Sequence, residues 1–122
     1  MHELSVCQGM LQQVSRIAAQ HDAGRVERIV VRIGPLSGVE PDLLRNAFPL
    51  ARAGTVAEEA ELCIETLPVR VRCDRCGEET DARPNRLLCG ACGDYHTRLV
   101  SGDELILASV QLVQAQPPAR LN

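Results

Sequence analysis

Apolar residues recur at Leu4, Cys7, Leu11, Val14, Ile17 and Ala18, with Gln8, Gln12, Gln13, Ser15 and Arg16 between them. That spacing predicts an amphipathic helix beginning almost at residue 2 and stopped by Gly24, with Glu3 at the positive end of its dipole. His21 near its end reads as a charge partner for the last carbonyls. The rhythm then changes from three-and-four to two. Ile29, Val31 and Ile33 alternate with Arg28, Val30 and Arg32, which predicts a half-buried strand over 28–33.

Gly34-Pro35-Leu36-Ser37-Gly38 breaks regular structure and leads to Val39-Glu40-Pro41, where the proline suits a first helical turn. A second helix follows, with Leu43, Leu44, Ala47, Phe48, Leu50 and Ala51 on its apolar side and Gly54 as its stop. Pro49 within it is expected to kink or shorten the segment, because proline removes an intrahelical hydrogen bond. Beyond the acidic run Glu58-Glu59-Ala60-Glu61, read as a solvated face, a second strand is expected over 62–67. An extended stretch then carries Pro68 to Arg72. Two more strands are expected, over 97–100 and 104–113, joined by the turn Ser101-Gly102-Asp103. The last of these does not alternate strictly, which predicts burial on both faces or a bulge. Residues 114–122, with Pro117-Pro118, are expected to form a disordered tail.

Composition narrows the picture. The chain has 122 residues, nearly half of them hydrophobic, but one Phe, one Tyr and no Trp, so the core must be aliphatic. A net charge of −3 and a pI near 5.6 supply no broad positive field, which argues against nucleic acid and acidic lipid as partners. No apolar stretch approaches the roughly 20 residues of a membrane span, and the N-terminus lacks the order of a signal peptide, so a cytoplasmic setting is expected.

Two cysteine pairs, Cys73-Asp74-Arg75-Cys76-Gly77 and Cys89-Gly90-Ala91-Cys92-Gly93, dominate the candidate chemistry. A two-residue gap lets both sulfurs of a pair reach one ion while the intervening amides point back at the thiolates, and the following glycine lets the chain turn. In a reducing compartment such pairs are better explained by metal than by disulfides. Zinc is the expected ion, with iron in a rubredoxin-like cage as the metal alternative. Four thiolates leave no open position, so the site is structural. Cys7 on the helix stripe and Cys63 in a strand are assigned to packing.

Met1-His2-Glu3 is the second feature. A terminal amine, the His2 amide and the His2 imidazole can close two fused chelate rings around one ion, and planar nitrogen sets suit Ni(II) or Cu(II). Glu3, Glu40 and His96 are candidates for a further ligand. Each also has a plainer reading: charge complementarity at helix N-termini for the two glutamates, and a solvated loop position for His96. No serine has a neighbouring base motif, and no phosphate-cradling loop or open zinc motif occurs, so no enzyme is expected.

Taken in order, Met1-His2-Glu3-Leu4-Ser5, Gly34-Pro35-Leu36-Ser37-Gly38-Val39-Glu40-Pro41, Ala47-Phe48, Gly54-Thr55 and the two Cys-x-x-Cys-Gly pairs resemble the HypA/HybF family of nickel-insertion accessory proteins, over residues 1 to about 113. The resemblance implies a mixed α/β fold: two helices packed on a small mixed sheet, with a four-cysteine, zinc-ribbon-like lobe. It implies a nickel-binding lobe of residues 1–68 plus 103–113 and a zinc lobe of 69–102. It implies His2 as the primary nickel ligand with Glu3 beside it, Glu40 and His96 as further ligands, and structural zinc at Cys73, Cys76, Cys89 and Cys92. The partners it implies are a HypB-like nickel-handling GTPase, the [NiFe] hydrogenase large subunit and, in some members, urease maturation proteins. Pro49 departs from the pattern, since relatives continue that helix with an acidic residue after Phe48. The competing reading is a zinc-ribbon module that binds protein or nucleic acid and has no nickel role.

Overall fold

The computed structural model describes residues 2–114. The expected tail therefore lies, from residue 115 on, outside the described residues, while Gln114 closes the last strand. Helix α1 spans His2–Gln20 and buries Cys7, Leu11, Val14 and Ala18, one stripe at helical spacing. It ends earlier than Gly24. Asp22 takes a left-handed conformation (φ 52°), and the His21 amide returns to the Ile17 carbonyl at 3.2 Å. The His21 ring nitrogen Nδ1 lies 2.9 Å from the same carbonyl oxygen. Aspartate tolerates this backbone state better than most side chains, so the reversal needs no glycine.

Gly24 instead lies inside strand β1, Ala23–Ile33. The strand is longer than the alternation suggested because Val26 and Ile29 are both buried while Glu27 and Arg28 between them are both exposed. That three-residue step hides the first half of the strand from a search for period two.

Helix α2, Pro41–Arg52, runs through Pro49 without being shortened. The carbonyl of Arg45, which loses its usual donor at Pro49, belongs to an exposed residue, and Pro49 is exposed too, so water is available in place of the lost bond. Leu44, Ala47 and Phe48 are buried, whereas Leu43 and Leu50, counted with the apolar side above, face solvent. Arg52 lies over the Phe48 ring at 5.4 Å and donates to the Ala60 carbonyl at 2.9 Å, and Gly54 (φ 74°) follows the helix end. The two helices pack on each other, and the buried Cys7 thiol sits 3.6 Å from the Leu44 carbonyl. Burial pushes that thiol's pKa up, as befits a packing residue. Cys63, assigned to packing as well, is only half-buried.

Strands β2 (Glu61–Thr66) and β6 (Leu105–Gln114) flank β1 in a three-stranded sheet of order β2-β1-β6. Ion pairs Arg28–Glu61 (3.1 Å) and Arg32–Glu65 (2.9 Å) join exposed side chains of β1 and β2. A second sheet, of order β4-β3-β5, pairs β3 (Arg70–Cys73) antiparallel with β4 (Glu79–Asp81) and β5 (Thr97–Ser101). The two strands expected to be neighbours around Ser101-Gly102-Asp103 thus belong to different sheets. Nor is β6 buried on both faces: none of its residues is buried. The mixed architecture of two helices, small sheets and a four-cysteine lobe agrees with the expected fold class.

The chain forms two compact units, one comprising the residues up to Val31, Pro41–Cys63 and those from Leu107 on, the other Arg32–Glu40 and Ile64–Ile106. Within the second unit the Gly34 loop meets the Gly102 turn. The Gly34 amide donates to Glu104 O at 2.8 Å, and the Leu36 amide to Gly102 O at 2.7 Å. A Cβ at Gly34 would overlap the Gly102 carbonyl, and Gly102 itself takes φ 122° against Val69. Both glycines are thus fixed by close backbone approach.

Gly34→Ala should therefore cost about 2–3 kcal/mol, since the obstructing atom is backbone and cannot swing away. Gly9→Ala, on α1 with open space around the new Cβ, should stabilise by about 0.5–1 kcal/mol. Thermal melts of both variants check the contrast. A neutral Gly34→Ala would contradict it.

Candidate metal centre

The two cysteine pairs fold into near-identical turns. In the first, the Arg75 and Cys76 amides donate to Cys73 Sγ at 3.3 and 3.4 Å, and in the second the Ala91 and Cys92 amides donate to Cys89 Sγ at 3.3 and 3.4 Å. Gly77 (φ 78°) and Gly93 (φ 79°) close each turn through amides bonded to the carbonyls of Cys73 (3.0 Å) and Cys89 (2.9 Å). The requirement inferred from the spacing is thus met in both halves: glycine supplies the left-handed step, and the amides face the sulfur.

The four sulfurs converge. Cys73 lies 3.6 Å from Cys92 and Cys76 lies 3.6 Å from Cys89, with all four ligand atoms within 4.8 Å of one another. A tetrahedron with metal–sulfur bonds of ~2.3 Å has edges of ~3.8 Å, whereas a disulfide would bring a pair to ~2.05 Å. The donor set therefore fits one four-thiolate metal ion and no disulfide. Cys73 and Cys89, the first of each pair, are buried, and Cys76 and Cys92 are exposed.

Electrostatics favour a first thiolate at Cys89. Backbone donation from the Cys92 amide, reinforced by that of Ala91 and opposed by desolvation, lowers its pKa to about 6. For Cys76 the backbone bond at Glu78 lowers the value, but desolvation and the neighbouring thiols Cys89, Cys73 and Cys92 outweigh it and push the thiol up to about 12. One anion among four close sulfurs resists the next, and a divalent cation at their centre removes that resistance.

Around the cage stands a carboxylate that sequence reasoning passed over. Asp94, with a side chain only 8% exposed, accepts the His96 amide and His96 Nδ1 at 2.7 Å each through Oδ1, and Arg75 at 3.0 Å through Oδ2. It joins the first cysteine turn, through Arg75, to the second, through its own backbone, whose carbonyl accepts the Cys89 amide at 2.9 Å. The His96 amide, then the Arg75 guanidinium and the His96 ring, hold its carboxyl well below the usual carboxylate range. Its signal in the sequence was an aspartate directly after a turn glycine and two residues before a histidine, the pattern of a side chain that bonds its own backbone two residues on. Thr80 and Thr97 were also missed; their hydroxyls bond the Gly90 amide and the Leu87 carbonyl, both at 2.8 Å.

Of the residues singled out for nickel, His2 opens α1 with an exposed side chain, and Glu3 follows in the same first turn. Glu40 is exposed just before α2, in the second unit, as is His96, whose Nδ1 is engaged by Asp94. The cysteines are brought together, and Asp94, Arg75 and His96 form a second cluster beside them.

A family model described as hydrogenase/urease nickel incorporation, metallochaperone, HypA, matches residues 1–112. The chain belongs to the HypA family. Hydrogenase maturation factor HypA of Nitrosospira multiformis is 48% identical over 113 residues, covering 93% of this chain and 98% of that protein. The Aquifex aeolicus protein of the same name is 41% identical, covering 92% and 97%. Among solved structures, the solution structure of the Ni metallochaperone HypA from Helicobacter pylori superposes with a TM-score of 0.68 at 25% identity, over 93% of this chain and 98% of that one. Another HypA solution structure gives 0.72 at 26% identity over 94% and 98%. Among the described residues of this HypA-family chain, no helix is long and apolar enough to cross a membrane.

Asp94→Asn tests the link between the two turns. Because the folded carboxyl titrates below its unfolded value, its contribution is complete above about pH 4 and fades as the pH falls through and below that value. The variant should melt below wild type at pH 7, and the gap should narrow on acidification. A gap that is constant or widens toward low pH would contradict the assignment.

Proposed function

We propose that this chain is a non-enzymatic, cytoplasmic nickel metallochaperone that captures Ni(II) at His2 and carries a structural Zn(II) at Cys73, Cys76, Cys89 and Cys92. Membership of a nickel-incorporation family supports the cargo. The observation that carries the reading is the separation of donor types: four sulfurs are committed to one closed cage, while an exposed imidazole stands at the first residue of α1. Sulfur and tetrahedral geometry select zinc, and nitrogen in a plane selects nickel.

The helix start suits such a ligand. The first four amides of an α-helix have no intrahelical acceptor, so the His2 amide can coordinate without breaking a backbone bond. The terminal amine, this amide and the imidazole would supply three nitrogens, with Glu3 beside them. Glu40 and His96, which belong to the second compact unit, are carried as further ligand candidates, His96 through Nε2 because Asp94 holds its Nδ1. The positive end of the α1 dipole disfavours a bound cation and Glu3 offsets it, which keeps the hold loose enough for ligand exchange.

The proposed recipients are the [NiFe] hydrogenase large subunit, with a HypB-like GTPase as working partner and urease maturation as a second destination. The nickel-binding part is assigned to 1–68 plus 103–113 and the zinc part to 69–102. Acidic charge and scarce aromatics disfavour nucleic acid as a partner.

Purified protein should contain about one zinc per chain and should take up Ni(II) only with His2 intact, on this coordination logic. His2→Ala, or an N-terminal extension that moves His2 inward, should abolish the uptake. Unchanged nickel affinity in both would remove the site and favour a plain zinc-ribbon binding module. Cys76→Ser should unfold the cysteine lobe yet retain nickel binding near the terminus. Nickel lost from a folded lobe would assign nickel to the sulfurs.

A further inference from the structure

Arginine pairing in this structure leaves a conspicuous gap. All thirteen Lys and Arg positions of the chain are arginines, and nine of the twelve described hold a carboxylate or carbonyl. In the cysteine lobe Arg70 holds Glu79 and Asp81, Arg72 holds Glu79, Arg75 holds Asp94 and Arg98 holds Asp74. Arg83 and Arg86 are exposed and hold no such group among the described residues. Arg16, on α1, is the remaining case of this kind.

Arg83 and Arg86 are also held side by side. They flank a tight turn, Arg83-Pro84-Asn85-Arg86, closed by the Arg86 amide on the Arg83 carbonyl at 3.0 Å in an antiparallel bridge. Pro84 at the second turn position fixes the backbone in advance. Both arginines line a hollow of about 450 Å³ together with Leu88, Cys89 and Gly90. Asp81 borders the same hollow, but its carboxylate is engaged by Arg70 at 2.7 Å. From Ala82 to Leu88 the sequence carries two positive charges and no negative one, in a chain of net charge −3. Leu87 is 36% exposed next to them.

We propose that this turn is a docking clamp for an acidic, leucine-containing segment of a partner protein, with two carboxylates received by Arg83 and Arg86 and an apolar neighbour resting on Leu87 and Leu88. A planar guanidinium receives a carboxylate through two parallel N–H bonds, so two arginines on a rigid turn read carboxylate spacing. The turn is already ordered, which lowers the entropic cost of docking. Each exposed pair is weak, so the contact is transient and salt-sensitive. Nucleic acid fits worse, because two arginines on one turn are a short run of charge for a phosphate backbone, which nucleic-acid-binding domains meet with a continuous basic patch. The clamp is independent of the nickel reading and holds whatever cargo His2 carries.

The test is an NMR titration of the zinc-loaded, 15N-labelled full chain with an acetylated, amidated Glu-Leu-Glu-Leu-Glu peptide at low ionic strength. Shifts should concentrate at the amides of Ala82, Arg86, Leu88 and Gly90. The double variant Arg83→Gln/Arg86→Gln should weaken binding at least tenfold, Arg83→Glu/Arg86→Glu should abolish it, and Arg16→Gln should leave it unchanged. Zinc content and spectral dispersion confirm that the variants stay folded. The proposal is overturned if the shifts are absent or lie elsewhere, if they survive the double substitution, or if inorganic phosphate or a single-stranded oligonucleotide gives them at lower concentration than the peptide.

Discussion

Four sulfurs held within 4.8 Å of one another are what the second sheet depends on. Between residues 69 and 102 the only fully buried apolar side chains besides Cys73 and Cys89 are Val69 and Val71. Burying a valine contributes about 1.5–3 kcal/mol, while a structural zinc in a finger peptide contributes apparent energies of about 10–16 kcal/mol. A zinc ion held by the four sulfurs would therefore stabilise this lobe more than its apolar core does. The strands β3, β4 and β5 act as the frame that brings Cys73 to the site and returns the chain toward Cys89. Asp94, Thr80 and Thr97 fasten that frame from outside the cage.

The other unit is stabilised differently. Its core comes from the α1 stripe, the Leu44, Ala47 and Phe48 side of α2 and Val26, Ile29 and Val31 of β1, aliphatic apart from Cys7 and Phe48. That core fixes α1 through its middle turns and leaves its first residue exposed. The proposed nickel donor thus lies exposed at the first residue of an anchored helix while the four sulfurs converge in one cage, and under the proposal these two places divide metal transfer from metal retention.

How legible this was in the sequence depended on the range of the interaction. The cysteine turns were readable in full, because spacing, glycine and amide direction are all set within five residues. The α1 stripe was readable for the same reason. What escaped required partners far along the chain or a broken period. The first half of β1 was hidden by the adjacent exposed pair Glu27 and Arg28, and the helix stop was misassigned because Asp22, not Gly24, adopts the left-handed state. Strands β5 and β6 look like neighbours in sequence and belong to different sheets, a fact fixed by pairing with β3 and β1. The persistence of α2 through Pro49 goes with the exposure of both Pro49 and Arg45, the residue whose carbonyl the proline orphans. The need for glycine at 34 and 102 becomes physical only when the two backbones meet.

The division of the two metals is tested most directly by X-ray absorption at the zinc and nickel edges of protein loaded with one equivalent of each. The expected result is zinc with four sulfur neighbours at ~2.3 Å and nickel surrounded by nitrogen and oxygen alone, with an imidazole signature that disappears in His2→Ala. Sulfur in the nickel shell, or zinc with fewer than four sulfurs once nickel is added, would contradict that division.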